Sequence, residues 1–538
     1  MSTENGNLFF NQGRFDEAKA EYEKALALNP NDAAAHNGLG RVALHDQLYD
    51  AAEMAFRKAC ELEPREPVFR SNLGSVFHNQ KKYLDAIAMY AKAVELNPQF
   101  VHAYNGWGNA LYAQKHYEEA IEQYKKAVEI DAKYVHAYNN WGLALAGQEK
   151  HAEAIEKYAK AAEIDPKFVS AYNNWGNALY AQQQYGEAIE RYKRTVEIDA
   201  KYVDGYNNWG LSLAKQGKFA EAIEKYKMAV ETNPQYVSAY DNWGNAFFDQ
   251  KMYSEAIERY AKALEIDPSY VNAYNDWGRA LAGQGKYEEA IEKYKKAIEL
   301  DAKYIHAYSN WGLALYEQKK YPAAMEMFAK AVEINPQFVS AYDAWGTALF
   351  AQKKYLEASE KYAKSVEVNP EFVDGYNNWG LALASQGQQA AAIEKYRKAI
   401  EVNPNSALSH YLYGNILLDQ SSYDEALEKF ETAVRMDPSY AYAFHNMAYV
   451  LERQGKYQES RAMWNRTKEA YELAKKERKL FTQAADFQYY GSLLHVALRN
   501  YSKAEELYTD GLKLDPSDAG LLMALGDLYK DWQDDDDE

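Results

Sequence analysis

Tyr138-Asn139-Asn140-Trp141-Gly142 is the stretch from which the fold can be read. It returns unchanged at Tyr172 to Gly176, Tyr206 to Gly210 and Tyr376 to Gly380, and with one or two substitutions from Tyr104, Tyr240, Tyr274, Tyr308 and Tyr342. The step between copies is 34 residues (142 − 108 = 34). A fixed period of roughly 20–50 residues marks a solenoid, in which one supersecondary unit stacks on copies of itself.

With the glycine of this stretch numbered position 8, the register is held by Gly6, Gly40, Gly74, Gly108 and onward to Gly414, then by Ala448. After a ten-residue insertion (492 − 448 = 44) it resumes at Ser492 and Gly526. Twelve positions after each glycine stands a small residue, as in Ala52, Ala86, Ala120, Ala154 and Ala426. Apolar residues spaced by three and four, such as Tyr287, Ala290, Ile291, Tyr294, Ala297 and Ile298, form one helical stripe. Glu and Lys fill the opposite side, with Glu156 and Lys160 at i,i+4 pairing distance. Each unit therefore reads as two antiparallel helices. Pairs such as Asp165-Pro166 are expected to cap the first helix, with Pro tolerated at its first position. Gln284-Gly285-Lys286 and its equivalents are expected to end it. Glycine at 8 and alanine at 20 are expected to let the two helices approach closely, and Tyr138 and Trp141 to supply core area.

Four segments follow: a regular array over residues 1–447, a unit with a lengthened second helix over 448–481, a terminal repeat and capping helix over 482–532, and an acidic, disordered tail over 533–538. The lengthened helix is expected near Gln458 to Arg478, and the capping helix near Asp518 to Trp532, with Leu521, Leu525 and Leu528 on its apolar stripe. The first unit leaves Leu8, Phe9 and Phe10 without a preceding polar cap, a possible site for end-to-end stacking.

These residues resemble the tetratricopeptide repeat family. The unit from Val135 to Phe168 carries that family's pattern in Tyr138, Trp141, Gly142, Leu145, Ala154, Tyr158, Ala161 and Pro166, departing from it by placing Trp at position 7 rather than 4. The resemblance implies an all-α, right-handed superhelix of about fifteen to sixteen helical hairpins, with first helices lining an inner groove.

Composition narrows the function. The chain has 538 residues, 61 basic and 79 acidic, for a net charge of −18, which disfavours a nucleic-acid partner. The single cysteine, Cys60, excludes an internal disulfide and suits a reducing compartment. Met1 to Gly6 carries neither a basic start nor an apolar run, so a cytoplasmic protein without a membrane span is expected. His102, His136 and His306 share position 2, but two histidines a repeat apart lack a third ligand. No catalytic constellation, metal site or cofactor is expected.

The groove is more informative. Position 6 holds Asn72, Asn140, Asn174, Asn208, Asn242, Asn310, Asn378 and Asn446. Asparagine is a mediocre helix former, so its recurrence in mid-helix has a cost. A carboxamide donates and accepts at once, which matches a peptide backbone. The pattern resembles the asparagine ladder of O-linked N-acetylglucosamine transferases, which implies a grip on extended peptides. Equally, these amides can bond between adjacent repeats. Position 12 alternates Tyr112, Tyr180, Phe248 and Tyr316 with Ala146, Ala214 and Ala282, giving either pockets two repeats apart or a trace of pairwise duplication. The expected role is a non-enzymatic scaffold for a protein or peptide partner with basic segments. A filament-forming subunit and a recruiting arm of a glycosyltransferase system are the alternatives.

Overall fold

The structure, a computed structural model, describes residues 2–476, 501–514 and 518–536. Among them are thirty helices and no strand. The chain forms two compact units, 1–276 and 277–538. Within each, the repeat is one hairpin: a first helix such as Val135–Gly147, a short turn, and a second helix such as His151–Ile164. The second helix packs back on its own first helix and forward on the next one. Successive first helices also touch, whereas successive second helices make no comparable contact. Neighbouring hairpins are thus closer on the first-helix side.

The glycine at position 8 has a more specific partner than expected. A Cβ built on Gly142 would lie 2.5 Å from Cε1 of Tyr158, and one on Gly176 or Gly210 would meet Tyr192 or Tyr226 at 2.5 and 2.6 Å. These rings at position 24 are each 1% exposed. The expected pairing of glycine with alanine 20 is corrected accordingly: an aromatic ring claims the space over the glycine. A similar exchange works between repeats. Position 3 is usually Ala, but it is Gly205 after Thr195 and Gly375 after Ser365, where an added Cβ would press on those side chains at 3.1 and 2.7 Å.

The turns also differ from expectation. Asp165 does not cap the following helix, which begins at Val169 without a side-chain cap. Its Oδ1 accepts from the Lys167 backbone N–H at 2.9 Å, and its carbonyl accepts from Phe168 N–H at 3.0 Å. The Asp-Pro pair is therefore a tight turn, with the side chain holding the backbone two residues on and Pro fixing φ. Within the hairpin, Lys150 N–H bonds to the Leu145 carbonyl and Glu149 adopts φ 62°, a left-handed helix stop. Glu156 and Lys160 do not pair; Lys160 bonds Glu163 at 3.0 Å, an exposed contact worth little.

The helix Tyr457–Lys476 has 20 residues, against 14 in His151–Ile164. Arg478, the register at Ser492 and residues 537–538 lie outside the described residues. The last helix runs Ala519–Asp536, with Leu521 and Leu528 buried and Leu522 exposed.

Candidate functional site

The first helices leave positions 2, 6 and 9 uncovered by the second helices. All eight position-6 asparagines, Asn72, Asn140, Asn174, Asn208, Asn242, Asn310, Asn378 and Asn446, are half-buried. Behind them, Asn139, Asn173 and Asn207 at position 5 are buried. A buried carboxamide must find partners, and the repeat supplies them. Asn140 Nδ2 donates to Asn105 Oδ1 at 3.1 Å, Asn174 to Asn139 at 2.9 Å, Asn208 to Asn173 at 3.2 Å and Asn242 to Asn207 at 2.8 Å. The position-5 amide of the same helix reaches forward, Asn139 to Asn140 Oδ1 at 3.2 Å and Asn207 to Asn208 at 3.3 Å. Elsewhere Asn72 donates to Asn37 and Asn446 to Asn415, both at 2.8 Å, and Asn378 to the Asp343 carboxylate at 2.9 Å. Burial pushes the Asp343 carboxyl above its usual range, and the Asn378 donor opposes that shift.

Alternation at position 9 then divides the ladder. Asn109 Oδ1 accepts from Tyr124 OH and also from Asn140 Nδ2, at 2.8 and 3.0 Å. Asn177 does the same for Tyr192 and Asn208, at 2.9 and 3.2 Å. Both N–H groups of Asn140 and Asn208 are therefore engaged. Asn174 and Asn242 follow repeats with Leu143 and Leu211 at position 9. Each donates once, leaving one N–H and the carbonyl oxygen for another partner.

The position-12 rings are half-buried and lean on the start of their own second helix: Tyr112 on Tyr117 at 5.6 Å, Tyr180 on Tyr185 at 5.2 Å, Phe248 on Tyr253 at 5.5 Å and Tyr316 on Tyr321 at 5.4 Å. Tyr112 and Ala146 of the next repeat both pack against one buried cluster that includes Leu111, Leu145 and Tyr158. Burial raises the Tyr112, Tyr180 and Tyr316 hydroxyls above the usual phenol range.

His102 and His136 are exposed, and Tyr134 stands between them. The rings run Phe100, His102, Tyr134, His136, Phe168 at centroid spacings of 5.9, 5.3, 5.8 and 5.2 Å. His102 Nδ1 is 3.0 Å from Tyr134 OH. Tyr236 OH donates to Asp204; burial first, and then that hydrogen bond and the Asp204 charge, raise the phenol above its usual range. These position-34 aromatics were overlooked in the sequence, though Phe100, Tyr134, Phe168, Tyr202 and Tyr236 recur every 34 residues. Among the described residues no three His, Cys, Asp or Glu side chains converge as metal ligands, and no helix is long and apolar enough to cross a membrane. Burial pushes the Cys60 thiol up, away from nucleophilic reactivity.

Trp141, Trp175 and Trp209 lie elsewhere, half-buried between second helices and covered by cations. Lys157 Nζ sits 4.6 Å over Trp141, the Arg191 guanidinium 3.7 Å over Trp175, and Lys225 Nζ 4.2 Å over Trp209.

Family models agree with this architecture. One described as a TPR repeat matches eight overlapping segments over residues 108–319 and 380–455. Others described as tetratricopeptide repeats match residues 3–67, 69–100 and 306–338. No curated protein matches the chain. Among solved structures, yeast Tom70 is 17% identical with a TM-score of 0.44, covering 78% of this chain and 96% of its own. The APC/C hetero-tetramer Cut9-Hcn1 is 15% identical with a TM-score of 0.40, covering 83% and 95%. YrrB, a TPR protein titled as having an unusual peptide-binding site, is 26% identical with a TM-score of 0.29, covering 35% and 96%. At such TM-scores no function is carried over from these structures.

Proposed function

The chain belongs to the tetratricopeptide-repeat family, and on that premise we propose that it is a non-enzymatic scaffold holding an extended peptide segment of a partner on its first-helix face. The observation that carries this reading is the spare capacity of Asn174 and Asn242. Each half-exposed carboxamide keeps a donor and an acceptor, the pair a peptide unit requires. Asn140 and Asn208, with both N–H groups tied inside the ladder, serve as struts that hold the face in register. Exposed Asp204 on the same face, and a net charge of −18, favour a partner with basic segments.

The test is affinity capture from source lysate with the full chain, quantified by mass spectrometry. Asn174→Ala/Asn242→Ala loses the captured partner while its circular dichroism is unchanged. Equal capture by wild type and variant overturns the reading.

A further inference from the structure

A second surface lies on the opposite, second-helix side of the first two hairpins, and the chain's own repeats supply its template. Between the second helices Tyr185–Ile198 and Phe219–Thr232 runs a groove floored by Trp209 and Leu213. Lys193 and Lys225 stand 5.6 and 4.2 Å over the Trp209 ring. The groove between Phe15–Leu28 and Tyr49–Leu62 is built from the same register positions with different residues. Trp209 becomes Leu39, Lys225 becomes Ala55, and Lys193 becomes Glu23. On the lip, Lys218 and Glu221 become Leu48 and Ala51. The aromatic ring and both covering cations have been removed together, and one cation has been replaced by a carboxylate.

What remains is a slot of about 220 Å³, smaller than the ~300–1,000 Å³ usual for small-molecule sites. It fits one large side chain. Its surroundings are apolar where other repeats are charged: Leu48 is 57% and Met54 74% exposed, and the register of Met54 holds Glu156, Glu190 and Glu224 elsewhere. Leu48 and Ala51 also line the adjoining depression that ends at Gln80. Glu23 and Asp46 on the rim outnumber Lys19.

We infer that this slot docks a segment of a partner protein that presents a bulky apolar side chain beside a Lys or Arg, restoring in trans the ring and cation that other repeats hold in cis. The apolar side chain fills the space over Leu39 and Ala55, and the cation meets Glu23 and Asp46. This site is independent of the asparagine face.

The experiment selects random 12-residue peptides displayed on phage against the full chain, with counter-selection on Leu48→Lys/Ala51→Glu. Both positions are exposed and take the residues of regular repeats, so the variant folds; circular dichroism checks it. Recovered peptides carry Trp, Phe or Leu within four residues of Lys or Arg. A synthetic representative binds that variant, and the template-restoring Glu23→Lys/Leu39→Trp/Ala55→Lys chain, at least tenfold more weakly than wild type. Its affinity for Asn174→Ala/Asn242→Ala is unchanged, so failure of the first-helix reading leaves this result standing. Three results would overturn the inference: no enrichment of that signature, equal affinity for wild type and Leu48→Lys/Ala51→Glu, or concentration-dependent mass growth in light scattering that this variant abolishes. The last would make a second copy the occupant.

Discussion

The asparagine ladder behaves differently in two regions. In the first unit, the carbonyl oxygens of Asn105, Asn139, Asn173 and Asn207 each accept from the position-6 amide of the next repeat. In the second unit, Asn377 occupies the same position, is 1% exposed, and has neither amide atom hydrogen-bonded. The position that would supply its donor is Leu412. Two repeats on, His445 takes position 5, and burial pushes its imidazole down to about 4. The difference teaches what the position-6 carboxamide does first: it satisfies a buried neighbour, and only its leftover capacity is available to a ligand. Identical pentapeptides at Tyr138 and Tyr376 therefore do not make identical sites, because the following repeat completes each one.

Four measurements break or sharpen this contrast, read as local stability by native-state hydrogen exchange, since a long array need not unfold as one unit. The largest effect is at His445. Its folded pKa lies below the ordinary 6.5, so the protein holds the neutral ring. The stability this gives is complete above pH 6.5 and is lost as pH falls toward 4. The loss amounts to roughly 3 kcal/mol at about 1.4 kcal/mol per pKa unit. Protection of the hairpin Ala441–Arg453 and Tyr457–Lys476 falls over that window, and His445→Gln flattens the dependence. A flat wild-type profile would contradict the burial assigned to the ring.

Next comes Asn174→Leu, which strands the Asn139 carbonyl oxygen as Leu412 strands that of Asn377, while the Asn139 amide keeps its bond to Asn140. It costs about 2 kcal/mol, within the range for stranding a buried polar group. Adding Asn139→Leu recovers part of that loss, and the non-additivity measures the coupling. In the other direction, Leu412→Asn supplies Asn377 with a donor and gains about 1 kcal/mol; no gain would mean that Asn377 is satisfied by water. Smallest is Glu149→Gly, which relieves a side chain from φ 62° and gains roughly 0.5–1 kcal/mol in the melting of its hairpin, while leaving the ladder untouched.

Much of this was legible in the sequence. The 34-residue step, the stripe spacings and the position-8 glycines gave hairpins and their order. The position-6 asparagines were legible as a set, because an amide in mid-helix has a cost that repetition makes conspicuous. Their partners were not. Asn140 meets Asn105 and Asn109, which are 35 and 31 residues away, and Gly142 is claimed by a ring 16 positions on. Periodicity shows which residues recur on a helix face and does not show which of them touch across an interface. The Asp-Pro pair was misplaced for a related reason: a carboxylate beside Pro suits a helix start and a tight turn equally well, and the position of Val169 decides between them.

By itself the sequence determined the repeat, its helices and the faces on which chemistry could sit, because these follow from local spacing and side-chain type. The tertiary structure decided which asparagines keep a free donor and acceptor, which tyrosine fills the space over each glycine, and where a groove lost its ring and cations. Those outcomes depend on pairs of residues in neighbouring hairpins, and packing and hydrogen-bond capacity are properties of the pair.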